Sequence, residues 1–357
     1  MSLKTRTESL KKRTDSRKTR TESLENRISP SKPELPRIPI TRLPQPRVER
    51  MAPTWRMAKP GRIARSLDLA LGQNSGGWFV AGVSGDVGRD KSVTRTIAGR
   101  EIVLWRDTGG ELVAGPGACP HLGALLDGCA VVDGTLFCRW HGLALDSQGD
   151  ASWKPYLAHD DGVLIWVRLP TAGEEPTERP SLPPRPPLSA SVAAVMVEPG
   201  RCQPEDVIAN RLDPWHGAWF HPYAFSHLDV DDEASDETHL VVDVAFRLSA
   251  TWGVPVRAEF SCPDARTIVM RIIEGEGVGS VVETHATPLG VDEAGDPVTM
   301  ITEATIAYSE RPGFQVARWM GPLVKPAMKR TARKLWVDDL AYAERRYELR
   351  MRGEYPG

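Results

Sequence analysis

Two short motifs constrain this chain more than anything else in it. They are Cys119-Pro120-His121 and, sixteen residues later, Cys138-Arg139-Trp140-His141. Each offers one thiolate and one imidazole. Two loops carrying such mixed pairs can close over a metal centre from opposite sides. A [2Fe–2S] cluster with two Cys on one iron and two His on the other needs this donor set. A Cys2His2 zinc site needs the same residue types, but its ligands normally come grouped, Cys with Cys and His with His. The mixed pairing favours the cluster.

The surroundings read as short β-strands. Apolar and β-branched runs at residues 78–83, 93–97, 102–105 and 112–114 are strand candidates, with Gly109-Gly110 as a turn. The two Cys/His loops are joined by a hairpin, 130–132 and 135–137, turning at Asp133-Gly134. A strand at 163–167 closes this β-domain. Before it, 63–71 has the pattern of a short amphipathic helix. Between 171 and 188, Pro176, Pro180, Pro183, Pro184, Pro186 and Pro187 crowd together, a composition that makes a semi-rigid connector.

Beyond the connector, strands are expected at 190–197, 240–246, 257–260, 267–273, 278–287 and 298–308, with helices at 203–211 and from about 314 to 351. Successive strands without helices between them imply an antiparallel sheet. The predicted fold class is therefore α+β. An N-terminal all-β domain (63–170) is followed by the linker (171–188) and by a catalytic domain (189–352) with an antiparallel sheet flanked by helices. Residues 1–62 are expected to be a disordered basic and Pro-rich tail, and 353–357 a short terminal tail.

The chain has 357 residues, enough for two cores, and a formal net charge of −2 that makes no case for nucleic acid. Its charge is uneven: residues 1–50 carry fourteen Lys or Arg against six Asp or Glu. Residues 4–10 recur as 18–24, one duplication and too little for a solenoid. No apolar run is long enough to span a membrane, and the N-terminus lacks a signal-peptide core. Cys129, Cys202 and Cys262 remain outside the two motifs, an odd and scattered set that is no disulfide framework. A reducing, cytoplasmic compartment is the expectation.

A second motif, Asn210-Arg211-Leu212-Asp213-Pro214-Trp215-His216-Gly217-Ala218-Trp219-Phe220-His221, holds two histidines five apart. On a helix that spacing lets both imidazoles reach one metal. Two His and one carboxylate leave open positions on Fe(II) where O2 and substrate can meet. Taken alone, such a pair is also what ordinary core or surface histidines produce.

Together, the two motifs resemble the oxygenase α-subunit of Rieske non-haem iron oxygenases, across roughly residues 78–350. The resemblance implies that Cys119, His121, Cys138 and His141 hold a Rieske [2Fe–2S] cluster. It implies that His216 and His221 ligate mononuclear Fe(II). Asp213 would be the bridging carboxylate that carries electrons between an iron-bound His and a cluster-bound His of a neighbouring subunit. Asn210 would stand behind the iron ligands. The third ligand would be Asp338 or Asp339 on the C-terminal helix. Many monooxygenase-type members have Glu five positions after this Asp, which Asp339 with Glu344 satisfies and Asp338 with Ala343 does not; Asp339 is preferred.

The resemblance also sorts the cluster. Respiratory Rieske proteins carry a disulfide across the loops, and Ala124 and Trp140 stand at those positions here. Leu143 replaces the serine that would donate to a bridging sulfur, so a lower potential is expected. Further implications are electrons from a separate reductase or ferredoxin, a head-to-tail homotrimer, and O2-dependent oxidation of a small apolar substrate such as a steroid, terpenoid or carotenoid. Monooxygenase chemistry is preferred over dioxygenase. The rival readings are a Rieske electron-transfer protein with a catalytically silent ligand-binding second domain, and a pure binding module.

Overall fold

The computed structural model describes Thr41–Arg42 and residues 53–356, all within one compact unit, Pro39–Gly357. The sequence repeat and most of the expected tail lie outside the described residues. Thr41–Arg42 (β1) lies inside the expected tail, yet pairs antiparallel with Trp252 and Gly253.

The β-domain is three small antiparallel sheets. One orders Trp78–Val83 (β2), Leu164–Arg168 (β10) and Ala158–Asp160 (β9) as β2-β10-β9. The second holds Val93–Ile97 (β3), Arg100–Arg106 (β4) and Leu112–Pro116 (β5). The third holds Ala130–Val132 (β6), Thr135–Phe137 (β7) and Ala144–Leu145 (β8). The β6–β7 turn sets both Asp133 (φ 48°) and Gly134 (φ 74°) in the left-handed region. That is the hairpin geometry an Asp-Gly pair favours, because its twist matches the strands. β4 reads as a continuous apolar run because both its faces are buried. Val103 and Trp105 pack under the Cys/His loops, and Ile102 and Leu104 pack against Phe79, Ile97 and Ile165.

The second domain is a large antiparallel sheet ordered β11-β17-β16-β15-β14-β13-β12, with β1 paired to β14. Its strands are Val192–Gly200 (β11), Phe225–Val230 (β12), His239–Arg247 (β13), Trp252–Asp264 (β14), Thr267–Gly275 (β15), Val281–Val291 (β16) and Pro297–Ala307 (β17). β12 escaped the sequence reading. A register shift between Phe225 and His227 breaks its two-residue alternation, as a bulge does.

One sheet face meets the β-domain: Trp78, Val80 and Trp166 pack on Val269, Val281, Ala304 and Ile306. The other face is covered by helices. Pro204–Arg211 (α2) packs over Leu240, Val242 and Ala258. After the short helix Phe314–Trp319 (α4), the long C-terminal helix Gly321–Met351 (α5) buries Ala332, Trp336 and Ala343 against Met196, Ala286 and Ile301.

One assignment changes. The N-terminal helix begins at Pro60 and runs to Leu71 (α1), with proline in its first turn. Its Leu67 and Ala70 pack with Ile208, Leu212 and Leu240. Residues 63–71, expected to open the β-domain, therefore belong by packing to the large sheet of the second domain. An amphipathic stripe shows that a helix must be covered but not by what.

Candidate metal centres

The two Cys/His loops are built alike. Cys119 N–H donates to Ala124 carbonyl at 2.8 Å and Gly123 N–H donates to Cys119 carbonyl at 2.8 Å. In the other loop Cys138 N–H donates to Leu143 at 2.9 Å and Gly142 N–H donates to Cys138 at 2.8 Å. Gly123 (φ 74°) and Gly142 (φ 71°) both sit in the left-handed region, where a side chain would be strained. Each loop thus makes the same tight turn between its Cys and the residues that follow its His.

The result is a donor set with an inside and an outside. Cys119 and Cys138 are buried and their thiols are hydrogen-bond neighbours. His121 and His141 are exposed, with ring centroids 4.8 Å apart. Backbone N–H groups of His121 and Leu122 point at Cys119 sulfur, and those of Trp140 and His141 at Cys138 sulfur. Burial pushes Cys119 up. At Cys138 burial acts the same way, but those N–H donors, the Cys119 thiol and Arg139 outweigh it and lower the thiol. A pair of free thiols lined with N–H donors, with a pair of imidazoles on the same two loops, fits a cluster whose sulfur side needs negative charge stabilised. The five described cysteines are all free, and Cys129 is buried in the core below the loops.

The second centre lies between α2, the short helix His216–Phe220 (α3) and α5. α2 starts with a Gln203/Asp206 capping box and with proline in its first turn. Leu212-Asp213-Pro214 then turns the chain into α3. The two histidines do not share a helical face. His216 opens α3, and His221 follows its last turn with φ −115° and ψ 56°. This break in the helix brings the ring centroids to 5.4 Å.

Asp339, buried on α5, faces both. Its Oδ1 lies 2.8 Å from His221 Nε2, 3.2 Å from His216 Nε2 and 3.3 Å from the Asn210 amide nitrogen, which donates to it. One donor atom from each of His216, His221 and Asp339 falls within 4.8 Å of the others. Burial works to raise Asp339, but the two imidazoles outweigh it and hold the carboxyl well below the usual range. Burial works to lower His216, and the Asp339 and Asp213 carboxylates outweigh it. Asp213, raised by its own burial, places Oδ2 3.8 Å from His216 Nδ1. Asn210 Oδ1, Asp213 Oδ1 and His216 Nδ1 are buried without a hydrogen-bond partner among the described residues. Two imidazole nitrogens and a carboxylate oxygen, converging in a buried place with unmet polar atoms around them, fit a divalent transition metal.

Several neighbours were invisible in sequence. Trp336 and Tyr342 stand three residues either side of Asp339 and so share its helix face. Trp336 Nε1 donates to the buried Glu303 at 2.6 Å, and Tyr342 lies 5.7 Å from the His216 ring. Asp338, the rival for the third ligand position, lies on the opposite side of His221, 3.8 Å from its Nδ1, and accepts a 2.6 Å hydrogen bond from Tyr223. Of the aromatics near the motif, Phe220, Tyr223 and Phe225 ring His221 at 4.8, 5.9 and 6.4 Å. Trp215 is buried instead beneath Arg62. Of the basic residues on α5, Arg333 is paired with Glu198 and Lys334 lies over the Tyr223 ring. A recess of about 530 Å³ lies elsewhere, lined by Asp243, Ala245, Pro255 and Arg257, which alternate with the core residues of their strands. It contains none of the three converging side chains.

Comparison with known proteins divides the chain at the linker. Residues 77–171 match the family described as Rieske [2Fe–2S] domain, and residues 171–354, just over half the chain, match a domain of unknown function (DUF5914). Among curated proteins, the chain is 33% identical over 100 residues to aminopyrrolnitrin oxygenase PrnD of Pseudomonas fluorescens, covering 28% of this chain and 27% of that protein. It is 38% identical over 78 residues to a vanillate O-demethylase oxygenase subunit from Pseudomonas sp., covering 22% of each. The matches thus span about a quarter of these relatives' lengths. Among solved structures, dicamba monooxygenase bound to dicamba aligns with a TM-score of 0.57 at 17% identity, over 78% of this chain and 89% of that one. The terminal oxygenase of carbazole 1,9a-dioxygenase from Nocardioides aromaticivorans aligns at 0.53 and 16%, over 80% and 89%. Identities this low establish a shared fold.

Proposed function

We propose that this chain, which joins a Rieske [2Fe–2S] domain to a domain of unknown function in the fold of solved Rieske oxygenases, is the terminal oxygenase component of a Rieske non-haem iron oxygenase and oxidises an apolar organic substrate with O2. The observation that carries this reading is the convergence of His216, His221 and Asp339 in a chain that also has a Rieske domain. An electron-carrier alone has no use for a buried two-His, one-carboxylate set. The silent-domain alternative would leave three costly buried polar side chains with nothing to hold.

Cys119, His121, Cys138 and His141 would hold the [2Fe–2S] cluster, and His216, His221 and Asp339 the mononuclear iron. When bound, these groups supply one-electron transfer and O2 activation. The chain's own residues do the rest. Asn210 donates to Asp339 and fixes which carboxylate oxygen faces the histidines. Asp213 sits behind His216, on the side away from Asp339, where a carboxylate sets the ring's orientation and basicity. In the homotrimer of this reading Asp213 would be the carboxylate that links the iron side to a cluster histidine of the neighbouring subunit. Exposed Leu122 and Trp140 beside the cluster histidines, and Trp219 and Phe220 beside His216, are the matching apolar surfaces. Phe220, Tyr223, Phe225 and Phe246 give the iron side an aromatic wall that favours an apolar ligand.

Monooxygenation of a steroid, terpenoid or carotenoid remains the finer proposal, with electrons arriving from a separate reductase or ferredoxin and the protein working in the cytoplasm. No described helix is long and apolar enough to cross a membrane. Iron analysis tests the core of the reading. About three irons per chain are expected, two in the cluster and one mononuclear. About two, with no mononuclear ferrous signal, would favour the electron-transfer alternative. Product analysis with a reductase, O2 and a panel of apolar substrates then identifies the reaction.

A further inference from the structure

Asp338 and Tyr223 stand on the far side of His221 from Asp339. The Tyr223 hydroxyl donates to Asp338 Oδ2 at 2.6 Å and lies 3.4 Å from His221 Nδ1. Asp338 Oδ2 itself is 3.8 Å from that nitrogen. The hydroxyl's other contact, Lys334 carbonyl, is longer at 3.5 Å. The Lys334 ammonium lies 3.6 Å from the centre of the Tyr223 ring and pins it from above.

We propose that Tyr223 and Asp338 are a positioning pair that sets the tautomer and orientation of His221. A phenol has one proton to donate and lone pairs to accept with. The 2.6 Å contact commits that proton to a carboxylate, which can only accept. The phenol oxygen then turns a lone pair toward His221, so the ring must present N–H at Nδ1. Its unprotonated Nε2 is left pointing to Asp339, 2.8 Å away. Histidines that ligate metals are commonly oriented this way, through the nitrogen that does not bind.

The two histidines are thus backed by different groups. His216 has Asp213 behind it at 3.8 Å, too far for a hydrogen bond, and its Nδ1 is unpartnered among the described residues. His221 has a relay that closes within this chain. The consecutive Asp338 and Asp339 consequently have different tasks: Asp339 meets the imidazoles on their Nε2 side, while Asp338 acts through Tyr223 from the Nδ1 side. Residues 338 and 339 are about 100° apart around the helix, so one can face the centre while the other reaches round to the chain that follows α3.

The inference rests on the iron-site reading above, and one set of measurements separates their failures. Full-length protein with its cluster is compared with Tyr223→Phe, Asp338→Asn and Asp338→Glu. Ferrous iron affinity is measured by competition with a chelator. The nitric oxide adduct of the ferrous site is recorded by electron paramagnetic resonance, and the cluster's optical spectrum serves as the internal control. Tyr223→Phe is expected to lose about 10–100-fold in iron affinity and to change the line shape of the adduct. Asp338→Asn should move both readouts in the same direction, and Asp338→Glu should restore them towards wild type, with the cluster spectrum constant throughout. A residue that only ties the chain to α5 would lower stability without altering the line shape. Wild-type iron affinity and line shape in both Tyr223→Phe and Asp338→Asn would overturn the pair alone. Wild-type protein that binds no iron beyond its cluster would overturn the proposed function, and the pair with it.

Discussion

Replacing Arg185 with alanine should loosen the junction between the two domains. Arg185 comes from the Pro-rich linker, yet its guanidinium is only 9% exposed. Its Nε and Nη2 donate to Glu283 at 2.5 and 2.6 Å, and its Nη1 lies 2.8 Å from Asp161 of the β-domain. The Glu283 and Asp161 side chains are 0% and 3% exposed. Truncation would leave Glu283 with only the 3.3 Å contact from His285. Removing one partner of a buried ion pair costs about 3–5 kcal/mol, because the other charge stays buried and uncompensated. Against a typical total stability of about 5–15 kcal/mol that is a large fraction.

Urea unfolding followed by tryptophan fluorescence would read the loss as a midpoint lowered by about 1 M or more. The pH dependence adds a second check. Burial acts to raise Glu283 and Asp161, but Arg185 outweighs it at both and holds them low, with help from His285 at Glu283 and from Trp166 and the Leu164 N–H at Asp161. Carboxyls depressed in the folded state add stability that is complete above their ordinary values, 4.5 and 3.8, and is lost as pH falls through the depressed ones. In the variant the buried Glu283 prefers its proton, so acid harms it less. The gap between wild type and Arg185→Ala should be widest at neutral pH and narrow below about pH 4. A gap under about 1 kcal/mol at pH 7, or one unchanged in acid, would refute the assigned clamp.

Three further outcomes are expected. His216→Ala should abolish turnover and the mononuclear iron while leaving the cluster's optical spectrum intact; if the spectrum vanishes too, the two centres are not separate. Cys138→Ser should remove that spectrum, since one iron loses a thiolate, and unchanged absorption would sink the ligand assignment. Trp336→Phe takes the 2.6 Å donor from Glu303, a carboxyl that burial raises and that then keeps Arg211 at 3.2 Å. A loss of about 1–3 kcal/mol in thermal or urea unfolding is expected, and no loss would mean that this hydrogen bond contributes nothing.

What could be read from the sequence was local. Cys119, His121, Cys138 and His141 lie on two loops whose spacing is itself the signal, and the Asp133-Gly134 turn between them is a two-residue preference. His216 and His221 were legible for the same reason, although their arrangement was not. They were expected on one helical face, and the chain instead ends α3 between them. β12 was lost because its register shift removes the alternation that identifies a strand.

Chain order, residue chemistry and short spacing determined by themselves that a β-rich Cys/His domain precedes an antiparallel domain with a His pair. The third metal ligand was not legible in this way: it was the resemblance to Rieske oxygenases that implied a distant carboxylate, Asp338 or Asp339. Only the tertiary structure decided which sides of those residues meet. It put α1 on the large sheet of the second domain, turned a linker arginine into a buried clamp, and set Asp339 against both histidines with Asp338 behind one of them. The reason is physical. Spacing along a chain fixes distances only over a turn or two, whereas α5 reaches the motif from more than a hundred residues away. Its rotation about its own axis is set by what it buries, Trp336 and Ala343 on one side, and no local pattern carries that angle.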